Sequence, residues 1–191
     1  MKEGIKIKSF ARLFLGSVIA LVLLSCSAKA QEASAGDPVA RAFAEAGLPL
    51  LSRKVSPRDF SLPTLAGETQ SLAALKGKVV FLNFWATWCG PCRDEMPSME
   101  ALYMRFREKG LEIIAVNSGE RQPDVLAFMQ SNRLSFPALL DEDGRVSGDY
   151  GIRAIPTSFL IDREGMIILR KVGSIDWDTP AIHAAMEALL D

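Results

Sequence analysis

The chain has 191 residues, 49% of them apolar and 24% charged, a balance that suits one folded domain and is too hydrophobic for disorder. Its 22 Lys and Arg nearly offset 23 Asp and Glu, which leaves no basic face of the kind that displaces counterions from nucleic acid. Three cysteines and one histidine, His183, are too few for most metal sites, so no metal is expected.

Basic residues through Arg12 precede an apolar run, Leu13 to Leu24. As a helix that run would reach only about 18 Å, short of the roughly 20 residues a membrane crossing needs. Residues 1–30 therefore read as a signal peptide. Two exits are open. Ala28-Lys29-Ala30 fits cleavage before Gln31, whereas Leu23-Leu24-Ser25-Cys26 resembles a bacterial lipobox whose cysteine becomes lipidated. Either route predicts delivery across the inner membrane, to the periplasm or to a lipid tether at the extracytoplasmic face. Either also leaves Cys89 and Cys92 as the free thiols of the mature chain.

Residues 31–56 read as a linker holding one short helix, Val39 to Ala46, which Asp37 and Pro38 would start and Gly47 would close. The domain proper is expected over 57–191. It opens with a small hairpin, Asp59 to Leu62 and Glu68 to Leu72, around the turn Thr64 to Gly67. Lys78 to Trp85, KVVFLNFW, is an almost unbroken apolar run, the pattern of a strand buried on both faces.

Pro91 to Lys109 then spaces Met96, Met99, Leu102, Tyr103 and Phe106 at three- and four-residue intervals, an amphipathic helix closed by Gly110. Leu111 to Asn117 is a second buried strand. Pro123 to Asn132 is a helix crossing back toward the sheet. Thr157 to Asp162 and Met166 to Val172 are strands joined by the turn Asp162 to Gly165, and Thr179 to Leu190 is a closing helix. Strands alternating with helices and ending in an antiparallel pair argue α/β with a mixed sheet.

The chemistry concentrates in Trp88-Cys89-Gly90-Pro91-Cys92, between the end of the buried strand and the start of the helix. Cysteines three apart in a first helical turn can form a disulfide, but so small a loop does little for stability. Cys89 at the helix N-terminus has a reason to ionise, since unpaired amides and the helix dipole favour a thiolate there. Cys92 lies one turn in, placed to resolve a mixed disulfide. Pro91 suits the first turn, and Gly90 lets a partner chain approach. Zinc would take four ligands, and there is no second CxxC.

Val79 to Pro97, VVFLNFWATWCGPCRDEMP, resembles the thioredoxin superfamily, and within it the TlpA/ResA-like thiol-disulfide oxidoreductases of the bacterial cell exterior. The likeness runs from about Asp59 to Gly173. It implies a thioredoxin fold with a central mixed sheet flanked by helices, an N-terminal hairpin and an inserted crossover helix. It also implies a Cys89–Cys92 dithiol, with no other cofactor, that exchanges with thiols or disulfides of partner proteins. In relatives a proline matching Pro156 has a cis peptide bond beside the active disulfide, and the residue before it, here Ile155, offers backbone hydrogen bonds to a bound peptide. Trp88 is expected as a ring on that binding surface.

Cytoplasmic thioredoxin carries a buried aspartate six residues before its first active cysteine. Asn83 stands there and cannot titrate. The resemblance moves that duty to Glu95, one turn after Cys92, where partial burial would raise its pKa into the working range. Reduction of partners is the implied direction. In an oxidising compartment this requires a membrane electron donor, as relatives serving cytochrome c maturation have.

Two other classes stay open. One is a chaperone that holds thiol-bearing clients. The other is a peroxidase, which would need a threonine three residues before its cysteine, where Ala86 stands before Cys89. Asp141 to Gly144 lacks calcium-ligand spacing and reads as an acidic turn. His183 reads as packing or surface, and Met96 and Met99 as core rather than copper ligands.

Overall fold

The computed structural model describes residues 36–191. The predicted leader and both of its exits, Ala30 and Cys26, lie outside the described residues. Helix α1, Pro38–Glu45, starts where expected, with Asp37 Oδ1 accepting from the amide of Val39 at 2.9 Å.

Strands β1, Ser61–Pro63, and β2, Thr69–Ser71, form the predicted hairpin as a separate two-stranded sheet. A 3₁₀ turn follows at Ala73–Leu75. Strand β3, Val79–Trp85, is buried along its whole length, as its unbroken apolar run requires. Helix α2 spans Gly90–Phe106 and tightens into a 3₁₀ turn over Arg107–Lys109. Gly110 ends it at φ 98°, a left-handed geometry that favours glycine. Strand β4, Leu111–Ser118, and helix α3, Gln122–Ser131, follow.

Strand β5, Ala138–Asp141, and the short helix α4, Arg145–Asp149, complete the crossover. The sequence reading assigned neither. Asp141 to Gly144 includes the expected acidic turn, with Glu142 and Asp143 exposed, but Asp141 itself ends β5 and points inward. The carboxylate is buried and accepts from the amides of Val146 and Ser147 at 3.0 and 2.7 Å and from the Ser147 hydroxyl at 2.7 Å. It thereby satisfies the first amides of α4. Strands β6, Thr157–Ile161, and β7, Ile167–Val172, and helix α5, Pro180–Leu190, end the chain.

The main sheet runs β5-β4-β3-β6-β7, with β3–β4 and β4–β5 parallel and β3–β6 and β6–β7 antiparallel. This is the mixed sheet that the order of elements predicted. Alternation along β3 divides its side chains between two layers. Val80, Leu82 and Phe84 join Phe60 and Leu62 of the hairpin segment and Val146 of α4 in one core. On the opposite face Phe81 meets Trp177, Asn83 meets Glu95 of α2, and Trp85 meets Phe128 of α3. The stretch 42–56 packs as well. Phe43 is buried, the amide of Leu51 donates to Ile168 at 2.8 Å, and Val55 bridges to Ile167.

Candidate active site

β3 delivers the chain from the middle of the sheet to the N-terminus of α2, where Cys89 and Cys92 form a disulfide with Cα atoms 5.3 Å apart. Cys89 is the residue capping α2, and its Sγ accepts from the amide of Cys92 at 3.2 Å. That amide would be one of the orphans of the first turn, so the backbone directs positive charge at this sulfur. Cys89 is 5% exposed and Cys92 is fully buried, which makes Cys89 the sulfur a partner can reach. Its chain neighbours Trp88 and Pro91 are exposed, Trp88 at 68%, and Gly90 is half-buried.

The loop before β6 approaches from the other side. Ile155–Pro156 is a cis peptide bond, and the carbonyl oxygen of Ile155 lies 3.7 Å from Cys89 Sγ. Pro156 is buried, and its own carbonyl accepts from Gly173 at 2.8 Å, which ties the loop to the end of β7. The fold thus brings together Cys89 and Ile155, residues far apart in sequence.

Behind the disulfide, Glu95 is 1% exposed, more deeply buried than the sequence suggested. Its Oε1 accepts from the amide of Asn83 at 3.0 Å and its Oε2 from the indole N–H of Trp177 at 3.1 Å. Burial pushes its pKa up to about 7, against the lowering effect of those donors, the Ile175 backbone and Lys171. A buried carboxyl that titrates near neutrality one turn from a buried cysteine can take or return a proton during exchange.

The sequence reading missed three residues here. Trp177 and Ser158, the second acceptor of the Asn83 amide at 3.0 Å, reach the site only through folding. Glu120 braces the loop ahead of Trp88. Its carboxylate accepts from the amide and hydroxyl of Thr87, the former at 2.7 Å, and from Asn117 at 2.8 Å. No local pattern marks any of them. Among the described residues no cluster of His, Cys, Asp and Glu is arranged to hold a metal ion, and no helix is long and apolar enough to cross a membrane.

A five-stranded mixed sheet whose central strand ends in a dithiol at a helix N-terminus, opposite a cis-proline, defines a thioredoxin-fold redox protein. Residues 55–170 match the AhpC/TSA family. The chain is 44% identical to the thiol-disulfide oxidoreductase ResA of Bacillus thuringiensis (strain Al Hakam) over 115 residues, 60% of this chain and 66% of that protein. It is 42% identical over 130 residues to ResA of Bacillus subtilis (strain 168), covering 68% of this chain and 73% of the relative. A crystal structure of a thiol:disulfide interchange protein from Chlorobium tepidum TLS superposes with a TM-score of 0.61 at 33% identity, over 72% of this chain and 97% of that one. The chain belongs to the AhpC/TSA family, and it is related to the ResA thiol-disulfide oxidoreductases, spanning just under two thirds of the Bacillus thuringiensis one.

Proposed function

We propose that the protein exchanges its Cys89–Cys92 pair with partner proteins outside the cytoplasm, acting as their reductant. The observation that carries this reading is the position of Cys89 Sγ, between the amide of Cys92 and the carbonyl of Ile155. A sulfur that must attack as a thiolate has a donor there, and an extended client has the backbone of Ile155 to pair with.

In the reducing direction, Cys89 thiolate attacks one sulfur of a partner disulfide. A mixed disulfide forms, and the partner's other sulfur leaves as a thiolate. Glu95 accepts the proton of the Cys92 thiol, and the resulting thiolate attacks Cys89 Sγ and expels the partner's first sulfur. Two electrons pass to the partner, and the Cys89–Cys92 disulfide remains. A membrane donor then reduces that disulfide, and Glu95 returns its proton to Cys92. Trp88, Gly90 and Pro91 supply the surface that a client meets, and Pro156 shapes the other wall.

The basic and apolar leader, with Cys26 as an acylation point, supports export and a tether at the membrane face. Resemblance to the ResA-type proteins supports service in cytochrome c maturation. Ala86, fully buried, offers no hydroxyl three residues before Cys89, which speaks against a peroxidase.

The test replaces Cys92 by Ser in the full-length protein and isolates adducts from the native host. Thiol-linked client proteins joined through Cys89 and released by reductant are the expected result. Absence of any mixed disulfide, or client maturation that survives the double Cys89→Ser, Cys92→Ser change, would overturn the reading, the latter in favour of a chaperone.

A further inference from the structure

Glu95 is held by two donors that differ in one respect. The indole of Trp177 can only donate, whereas a side-chain amide donates from one end and accepts at the other. Trp177 is also locked. Its ring packs edge-on against Phe81 with centroids 4.6 Å apart, and its backbone amide donates to Ser98 Oγ at 3.0 Å. Ser98 Oγ in turn donates to the Glu95 carbonyl at 2.8 Å. The loop that carries Trp177 is therefore pinned to the same turn of α2 that carries Glu95.

Asn83 is placed differently. Its Nδ2 serves both Glu95 Oε1 and Ser158 Oγ, each at 3.0 Å, while its Oδ1 is buried with no hydrogen-bond partner. A buried amide oxygen left unpaired is uncommon, because it forfeits the interaction it had with water. This arrangement satisfies an ionised Glu95. A protonated one would present an O–H that the indole N–H cannot accept and the Nδ2 end of the amide cannot accept either. Turning the amide over would supply the missing acceptor, since Oδ1 would then accept from the Glu95 O–H and from the Ser158 hydroxyl, while Nδ2 would take the unpartnered place that Oδ1 now holds.

We propose that Trp177 is a positioning residue that keeps Oε2 of Glu95 a permanent acceptor, so that the proton Glu95 takes up resides on Oε1 and the Asn83 amide turns over to receive it. This rests on the proton-transfer role given above to Glu95 and adds which oxygen carries the proton and which group follows it. The ionisable and charged neighbours are few. Lys171 on β7 is the cation that bears on Glu95, and the cysteine pair lies on its own helix. Asn83, Ser158 and Trp177, which face it from β3, β6 and the loop after β7, do not titrate.

The test is nuclear magnetic resonance on the oxidised protein between pH 5 and 9, following the Asn83 side-chain amide and the Glu95 carboxyl carbon in the same samples. In the wild type both are expected to move with one midpoint. In Glu95→Gln, whose own amide places its oxygen toward Trp177 and its NH₂ toward Asn83, the Asn83 signals should sit at the acid-form position at every pH. In Trp177→Phe, which keeps the ring and loses the donor, the Glu95 midpoint should rise by about one pH unit, a tenfold gain in proton affinity, and the pH profile of disulfide exchange should rise with it.

Asn83 signals that stay fixed while wild-type Glu95 titrates would overturn the proposal. So would a Trp177→Phe midpoint unchanged from wild type. Should Trp177→Phe fail to fold, the wild-type and Glu95→Gln spectra decide alone. A wild-type protein that exchanges no disulfides yet shows the shared midpoint would sink the functional reading and leave this one standing.

Discussion

Asn83 donates its side-chain amide to Glu95 across 3.0 Å in the interior, so the position where cytoplasmic thioredoxin has a buried acid here serves a different acid. That acid stands on α2, the helix that Cys89 caps and that carries Cys92. That relationship, with the dithiol and the cis-proline loop around it, generates the following expectations.

In the proposed mechanism exchange in the reducing direction needs Glu95 ionised, so its rate should rise with pH through about 7. Glu95→Gln removes the base and keeps the shape. It should slow resolution of the mixed disulfide by about a hundredfold and flatten that inflection. Stopped-flow measurement of Cys92 resolution across pH checks both points. A variant that keeps the inflection would assign it to another group.

Glu95 also makes stability depend on pH. Its folded pKa of about 7 lies above the ordinary carboxyl value of 4.5, so the folded state binds more protons than the unfolded chain between those values. The associated stability is fully present below about 4.5 and is lost as pH rises through about 7. At 1.36 kcal/mol per unit the loss is about 3 kcal/mol. Glu95→Gln should remove this slope. Denaturant melts of the oxidised forms at pH 5 and pH 8 would reveal it as a wild-type midpoint that falls while that of the variant does not.

Asp141 should matter for folding and not for exchange. Asp141→Ala leaves two amides and a hydroxyl of the α4 turn without their acceptor. With hydrogen bonds to a charged group worth about 1.5–3 kcal/mol each, partly replaced by water, a loss of about 3 kcal/mol is expected. That corresponds to a Tm lower by roughly 10 °C. Calorimetry reads the change, and turnover with a small disulfide well below the melt should match wild type.

Trp88 presents the opposite case. It is 68% exposed beside the reactive sulfur, so Trp88→Ala should leave stability within about 0.5 kcal/mol. Its loss should weaken capture of protein clients by about tenfold, as for an aromatic anchor. Reaction with a small dithiol, which has no use for the ring, should be unchanged. Comparing kcat/KM for the two substrate types makes the check.

Local pattern alone determined the Cys89–Cys92 chemistry, the buried strand Val79–Trp85, the amphipathic helix after it and the order of strands and helices. Each is written in consecutive residues: an apolar run, a 3.6-residue period, two cysteines at a strand-to-helix junction. The cis bond at Pro156 is implied by resemblance to relatives with a matching proline, not by local pattern, and the structure has it. Strand β5 escaped notice because Ala138–Asp141 is too short for a period of its own, and it is a strand because β4 lies beside it.

The acidic turn at Asp141 to Gly144 is legible in the sequence, but the burial of Asp141 is not, because the donors that satisfy it come from the first turn of α4. Only the tertiary structure decided what surrounds Glu95. Asn83, Ser158, Trp177 and Lys171 come from separate elements, and the burial that moves its titration to neutrality exists only once those elements close around it. A sequence records which groups can ionise, whereas the free energy of ionisation belongs to the solvent and dipoles around them, and those are placed by the fold.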